Sequence, residues 1–309
     1  MNRRELLRRT GASLLALGAA PFLEAADSAD ETKKRHIIMY TRSEGFEHPC
    51  VHRKGGKLSL AETIVTDLGK KPNFEVVCEK DGRIFLSREF PQFDGFLFES
   101  QGDLLREQCR DGSPPMTRDG KKALLDAVAD GKGFAGCHCA SDTFHSKGHY
   151  QGKARVEQKG DDIDPYIRML GGEFISHGSQ QKAWMRLTDD KFPGTDGLKD
   201  FALLEEWYSL KNFAPDLHVI LVQDTEGMKK TGGDVDYARP NYPAAWARMH
   251  HKGRVFFTSM GHRDDVWKND IFQQLLMGGL NWSLGRIEAK LEQNLDKVTP
   301  KAREMPPKR

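Results

Sequence analysis

The chain has 309 residues, 38% hydrophobic and 30% charged, with a formal charge of only +2. That balance describes a globular protein long enough to bury its own core, and it excludes the broad basic field of a nucleic-acid binder. Its five cysteines, an odd number, exclude a disulfide scaffold.

The first 26 residues read as a twin-arginine export signal. Arg3-Arg4-Glu5-Leu6-Leu7-Arg8 is followed by a weakly apolar stretch, Thr10 to Leu23, and by small residues at Ala25-Ala26. The apolar stretch falls short of the ~20 residues that span a bilayer, so the expectation is a periplasmic or secreted protein with no stable membrane insertion once the signal is gone.

Strand and helix patterns then alternate. His36 to Thr41 reads as a buried first strand and runs into a loop that holds Phe46 and His48. A helix pattern covers Lys57 to Leu68, and strands follow at 74–78 and 93–98, the latter ending in the polar turn Glu99 to Asp103. The helix pattern Thr117 to Asp130 leads through glycine to the strand 133–138 and a turn dense in reactive groups, Cys137-His138-Cys139-Ala140-Ser141-Asp142. This order implies a parallel α/β sheet, whose ligands bind at the carboxyl ends of the strands.

Beyond Asp142 the pattern loosens. Gln151 to Asp164 reads as an inserted surface loop, and Ile163 to Leu170 as a short helix stopped by Gly171-Gly172. Strands are expected at 183–187, 201–208 and 218–223. The Gly-rich stretch 224–241 suggests a flap. A hairpin is expected across 243–258, then an amphipathic helix from Asn269 to Gly285, and a frayed charged tail over 286–309.

Four elements end in a group suited to a site: His138, His177, Glu206 and His262. Imidazoles with a carboxylate are the ligand set of a catalytic zinc-like divalent ion, and the same residues without metal can act as acid and base. Catalysis is therefore expected from His138, His262 and Glu206, and metal ligation from His138, His177, Glu206 and His262. Ser141 and Asp142 either bind substrate hydroxyls or cap the next segment. Tyr208 and Trp246 are either core or stacking faces for a sugar, as are Trp207 and Trp267. Cys137 and Cys139 are expected to face opposite sides and not to pair. Neither sits in a Gly-x-Cys-x-Gly elbow, which disfavours a cysteine nucleophile. P-loop, G-x-G-x-x-G and G-x-S-x-G motifs are absent, so no nucleotide cofactor is expected.

Several blocks occur together in order. Gly45-Phe46-Glu47-His48, Gly133 to Asp142, Gly172 to His177, Glu205-Glu206-Trp207-Tyr208, Pro243 to Trp246, Gly253 to Thr258 and Gly261-His262 resemble the motifs of the ThuA-like, or trehalose-utilisation, family over residues 36–285. The resemblance implies a class I glutamine amidotransferase-like fold, a flavodoxin-like three-layer sandwich with a mostly parallel sheet and helices on both faces. It also implies that the amidotransferase triad is lost, with His138 at the elbow. Cys139 stands where the family usually has serine, and Glu205 where it usually has aspartate. The family is linked to disaccharide metabolism through 3-keto sugars. The expected substrate is accordingly a (3-keto-)glycoside or related sugar, with His48, Phe46, Ser141, Asp142, Tyr208 and Trp246 as its contacts. The rival readings are a non-catalytic sugar-binding module and a cysteine-dependent amidase. No nucleic-acid partner is expected, and a homo-oligomer is compatible with the sequence.

Overall fold

The computed structural model describes residues 34–308 apart from Pro72, so the segment read as an export signal lies outside the described residues. The strands are β1 Arg35–Tyr40, β2 Phe74–Glu79, β3 Gly95–Phe98, β4 Gly133–Cys137, β5 Glu173–His177, β6 Gln181–Leu187, β7 Phe201–Glu205, β8 Tyr208–Lys211, β9 His218–Asp224, β10 Tyr242–His250 and β11 Gly253–Thr258. The helices are α1 Leu60–Gly69, α2 Arg118–Ala129, α3 Pro165–Leu170, α4 Asp264–Trp267, α5 Asp270–Ser283 and α6 Leu295–Val298.

Local chemistry explains the helix boundaries. Ser59 and Glu62 form a reciprocal capping box at α1. Thr117 and Asn269 accept backbone N–H bonds at the starts of α2 and α5. Asp164 and Pro165 open α3, and Gly171 closes it at φ 92°, a left-handed conformation that glycine adopts without penalty.

Nine strands form the main sheet in the order β2-β1-β3-β4-β11-β10-β9-β6-β7. The first five run parallel in flavodoxin-like order. Alternating side chains bury both faces of this half. Ile37, Met39, Leu97 and Ala135 pack with residues of α1 and α5. Ile38, Phe96, Phe98 and Phe134 face the other way, with Leu124 and Val128 of α2 and Tyr166 of α3. Such two-sided burial, ~1.5–3 kcal/mol for each large apolar side chain, explains the unbroken apolar runs of these strands.

The other half is antiparallel, so the sheet is mixed although most strands still point one way. Strand–helix alternation predicts parallel order, and this half departs from it because its strands are joined by hairpins and by loops that carry no α-helix. Three further local expectations change, and one strand is added. Residues 201–208 are two strands in different sheets, β7 and β8, separated at Glu206-Trp207, and β8 pairs with β5 in a two-stranded sheet. Residues 173–177 are themselves a strand. The segment expected to be a flap is pinned by a 3-10 turn, Gly232–Tyr237, whose Tyr237 hydroxyl donates to the Trp207 carbonyl at 2.7 Å. The tail is docked rather than frayed: Leu295 and Ala302 are buried, and Asn294 bonds both the N–H and the carbonyl of Val219. Among the described residues no helix is long and apolar enough to cross a membrane.

Candidate functional site

The carboxyl ends of β1, β3, β4 and β11 lie along one edge of the sheet, and each delivers a buried polar group there. β4 ends at Cys137, and His138 takes φ 35°. A non-glycine residue held in that region stores strain at a strand-to-turn elbow. Ser141 closes the turn by donating to the His138 carbonyl at 2.9 Å. Within a continuous strand, Cys137 and Cys139 would share a face. The elbow turns them into opposite cores instead. Burial pushes both thiols well above their ordinary range, which removes them as nucleophiles.

β1 leads to His48, held extended ahead of Pro49 and almost wholly buried. β11 leads through Gly261, whose φ of 131° suits glycine, to His262. Three strands separate β7 from β11 in the sheet, yet Glu205 reaches back and accepts from the N–H groups of Gly261 and His262 at 3.1 and 3.2 Å. Glu206 follows. Its orientation is secured by Trp207, which is buried and donates through Nε1 to the Gln181 carbonyl at 2.9 Å.

His48, His138, Glu206 and His262 therefore converge, each offering one donor atom within 4.8 Å of the others. The three rings stand edge to face with centroids 5.0–5.2 Å apart. Glu206 Oε2 lies 3.8 Å from His138 Nε2 and 3.1 Å from His262 Nδ1. Burial alone would raise the Glu206 carboxyl, but His138 and His262 outweigh it and hold the group well below the usual carboxylate range. Burial, reinforced by the neighbouring His138 and His262, pushes His48 well below an ordinary histidine and keeps it neutral.

The donor set fits a divalent ion. His48 Nδ1, His138 Nε2 and His262 Nδ1 are all buried without a hydrogen-bond partner, although His262 Nδ1 lies within ion-pair distance of Glu206. His138 Nδ1 lies 3.1 Å from the Ser259 carbonyl. That acceptor fixes the proton on Nδ1 and leaves Nε2 bare, as backbone carbonyls commonly do for metal-bound histidines.

His177 does not join this group. Its Nδ1 lies 3.4 Å from Glu206 Oε1 and 2.9 Å from the Gly178 carbonyl, and its side chain is 42% exposed at the rim. His48, expected as a substrate contact, occupies the place in the cluster that the sequence assigned to His177. Sequence alone could not make that exchange, because the β1 loop and the end of β5 come together only in the folded chain.

The expected substrate contacts separate. Phe46 stands over His48 with centroids 5.0 Å apart and is 55% exposed, an open aromatic face at the mouth. Tyr208 lies against His138 with centroids 3.9 Å apart, and its hydroxyl lies 3.5 Å from His48 Nε2. Trp246 is no stacking face. It is fully buried against Phe257, and its Nε1 donates to the Leu170 carbonyl. Ser141 is buried and spent on the elbow. Asp142 caps no helix; it bridges Gln101 and His145 at 2.8 Å each. Sequence reasoning gave no role to Glu99, which closes the floor after β3. Burial pushes its carboxyl well above the usual range, and the Cys139 thiol donates to it at 3.5 Å. Its strand-end position was the available signal.

A depression of about 430 Å³ opens beside His262, Gln180 and Pro49. A larger cavity, about 920 Å³, is lined by His145, His149, Tyr150 and Arg118 and contains none of the four clustered residues. The chemistry of the cluster outweighs cavity size in locating the site.

The family model described as ThuA, trehalose utilisation, matches residues 37–283. The chain belongs to the ThuA family. Among solved structures, a ThuA-like protein from Bacteroides uniformis matches with a TM-score of 0.55 and 17% identity, over 81% of this chain and 91% of that one. A ThuA-like protein from Parabacteroides merdae matches with a TM-score of 0.52 and 16% identity, over 85% and 95%. At these identities the likeness supports the fold of this ThuA chain, which has the α/β architecture expected. No curated protein matches it.

Proposed function

We propose that this ThuA-family chain is an exported carbohydrate-processing enzyme acting on a (3-keto-)glycoside or related sugar at the His48–His138–Glu206–His262 centre. The observation that carries the reading is the convergence of three imidazoles, each with a buried, partnerless ring nitrogen, and one ionised carboxylate. A divalent, zinc-like ion held by these four residues would polarise a sugar carbonyl and lower the pKa of water. The twin-arginine segment supports export, and the family description supports a sugar.

The chain's own groups supply the rest. Phe46 offers an aromatic face to the C–H surface of a sugar ring. Ser259 fixes the His138 tautomer. The buried Tyr208 hydroxyl, its pKa pushed well above the ordinary value chiefly by burial, stays protonated. His177, at the solvent-facing rim beside Glu206, is placed to move a proton between the site and water. A carbonyl at the ring 3-position acidifies the C2–H bond. Removal of that proton, formation of a C1–C2 double bond, and departure of the C1 oxygen with a proton from the acid complete an elimination.

A second reading uses the same residues as acid and base without metal. It is favoured by Gln180, whose Nε2 lies 2.9 Å from His262 Nε2 while its Oε1 accepts from Arg263. An amide donor there puts the histidine proton on Nδ1, toward Glu206. Turnover of a 3-keto-glycoside, measured for wild type and for the His138→Ala and His262→Ala variants, tests the function. Loss of turnover in both is expected; unchanged turnover in both contradicts it.

A further inference from the structure

A second cluster sits behind the site. His145 Nδ1 lies 3.1 Å from Glu173 Oε1, and His145 Nε2 lies 2.8 Å from Asp142 Oδ1. Both ring nitrogens face carboxylate oxygens, so both must carry protons. Asp142 Oδ2 accepts from Gln101 Nε2 at 2.8 Å, and Gln101 Oε1 accepts from the N–H groups of Gly45 and Phe46, each at 2.9 Å. Every donor along this chain meets an acceptor, and the two ends of the Gln101 amide agree on its orientation.

We propose that His145 is a positioning residue: as an imidazolium it locks Asp142, and through Asp142 and Gln101 it sets the Gly45–His48 loop that carries the mouth and one wall of the site. The inference rests on the reading of Phe46 and His48 as parts of that site, but on no particular reaction.

The surroundings favour the charged form. Burial works against it, but hydrogen bonds to Asp142 and Glu173 outweigh burial and push His145 up to about 9. Those carboxylates come from the turn after β4 and from β5. The other groups nearby are His149, whose ring stacks at 3.7 Å, Tyr150 edge-on at 4.9 Å, and Lys211 of β8, 3.9 Å from Glu173 Oε1. Burial, its largest influence, pushes His149 down, so it stays neutral beside the imidazolium. Lys211 is wholly buried and also donates to the carbonyls of Lys153 and Val156, which ties the 151–164 insertion to the same cluster.

Amide hydrogen exchange on the full chain tests this without reference to activity. At pH 7, Gln101→Leu should speed exchange at Gly45 and Phe46 by about tenfold, the effect of losing their acceptor. Gly102 and Phe144, held by backbone bonds, should be unchanged. His145→Gln should act like Gln101→Leu. In wild type, after correction for intrinsic rates, the same acceleration should develop as the pH rises past about 9, and Gln101→Leu should lack that step. Unchanged exchange at Gly45 and Phe46 in Gln101→Leu overturns the proposal, as does the absence of the alkaline step in wild type. If His145→Gln fails to fold, Gln101→Leu and the wild-type pH series still decide. Failure here, with turnover of the keto-glycoside intact, would leave the proposed reaction standing.

Discussion

The charge on His145 also predicts how stability depends on pH. In the folded chain its pKa is raised from 6.5 to about 9. At about 1.4 kcal/mol for each factor of ten, that difference is worth about 3 kcal/mol, and the side chain is only 3% exposed, so solvent screening takes little from it. Because the folded value lies above the unfolded one, the contribution is complete below about pH 6.5, declines as the pH rises, and is gone above about pH 9. Urea unfolding of wild type and His145→Gln at half-unit steps from pH 6 to pH 10 reads it directly. Groups that titrate in this window without touching His145 cancel in the difference between the two proteins. That difference should fall by about 3 kcal/mol across the window. A difference that stays constant would refute the account, because it would mean that His145 contributes packing but no charge. Glu173, pushed below its usual range chiefly by His145 and His149 once burial is overcome, expresses the same pairing at the acid end.

The site yields further expectations. His48→Ala should weaken binding of zinc or cobalt by at least a hundredfold, beyond the ~10–100-fold typical of outer partners, whereas His177→Ala should change it far less; isothermal titration separates them. Gln180→Glu should tighten metal binding, since a carboxylate on His262 Nε2 holds the proton there and frees Nδ1. Trp246→Ala should destabilise by ~3–5 kcal/mol in thermal or urea unfolding. By contrast, Phe46→Ala should leave stability near wild type and weaken sugar binding by ~0.5–1.5 kcal/mol. Iodoacetamide applied to the folded protein should leave Cys137 and Cys139 unmodified, as mass spectrometry will show, and should not inactivate it.

Much of the parallel half was legible because its signals are local. The apolar runs at 36–41, 93–98 and 133–138, the helix patterns that start at Thr117 and Asn269, and the glycine stop at Gly171 each act within a few residues. The antiparallel half was harder. Residues 201–208 read as one strand because nothing in their periodicity marks the break at Glu206-Trp207, where the chain passes from one sheet to another. The 224–241 stretch looked loose by composition, yet Tyr237 and Asp236 are buried and bonded across distant segments. The site followed the same rule. Strand ends pointed to His138, Glu206 and His262, while the exchange of His177 for His48 and the chain from Glu173 to Phe46 depend on contacts between residues tens to hundreds of positions apart. Trp246 shows the converse: residue type alone suggests a sugar platform, and burial makes it core.

Elemental analysis of native protein, paired with turnover of a 3-keto-glycoside before and after chelation, tests the central claim most directly. The account predicts about one divalent ion per chain, loss of turnover on chelation, recovery when the ion returns, and neither stoichiometry nor recovery in His48→Ala. Metal-free protein with full turnover would contradict the metal-assisted centre and leave the acid–base reading in its place.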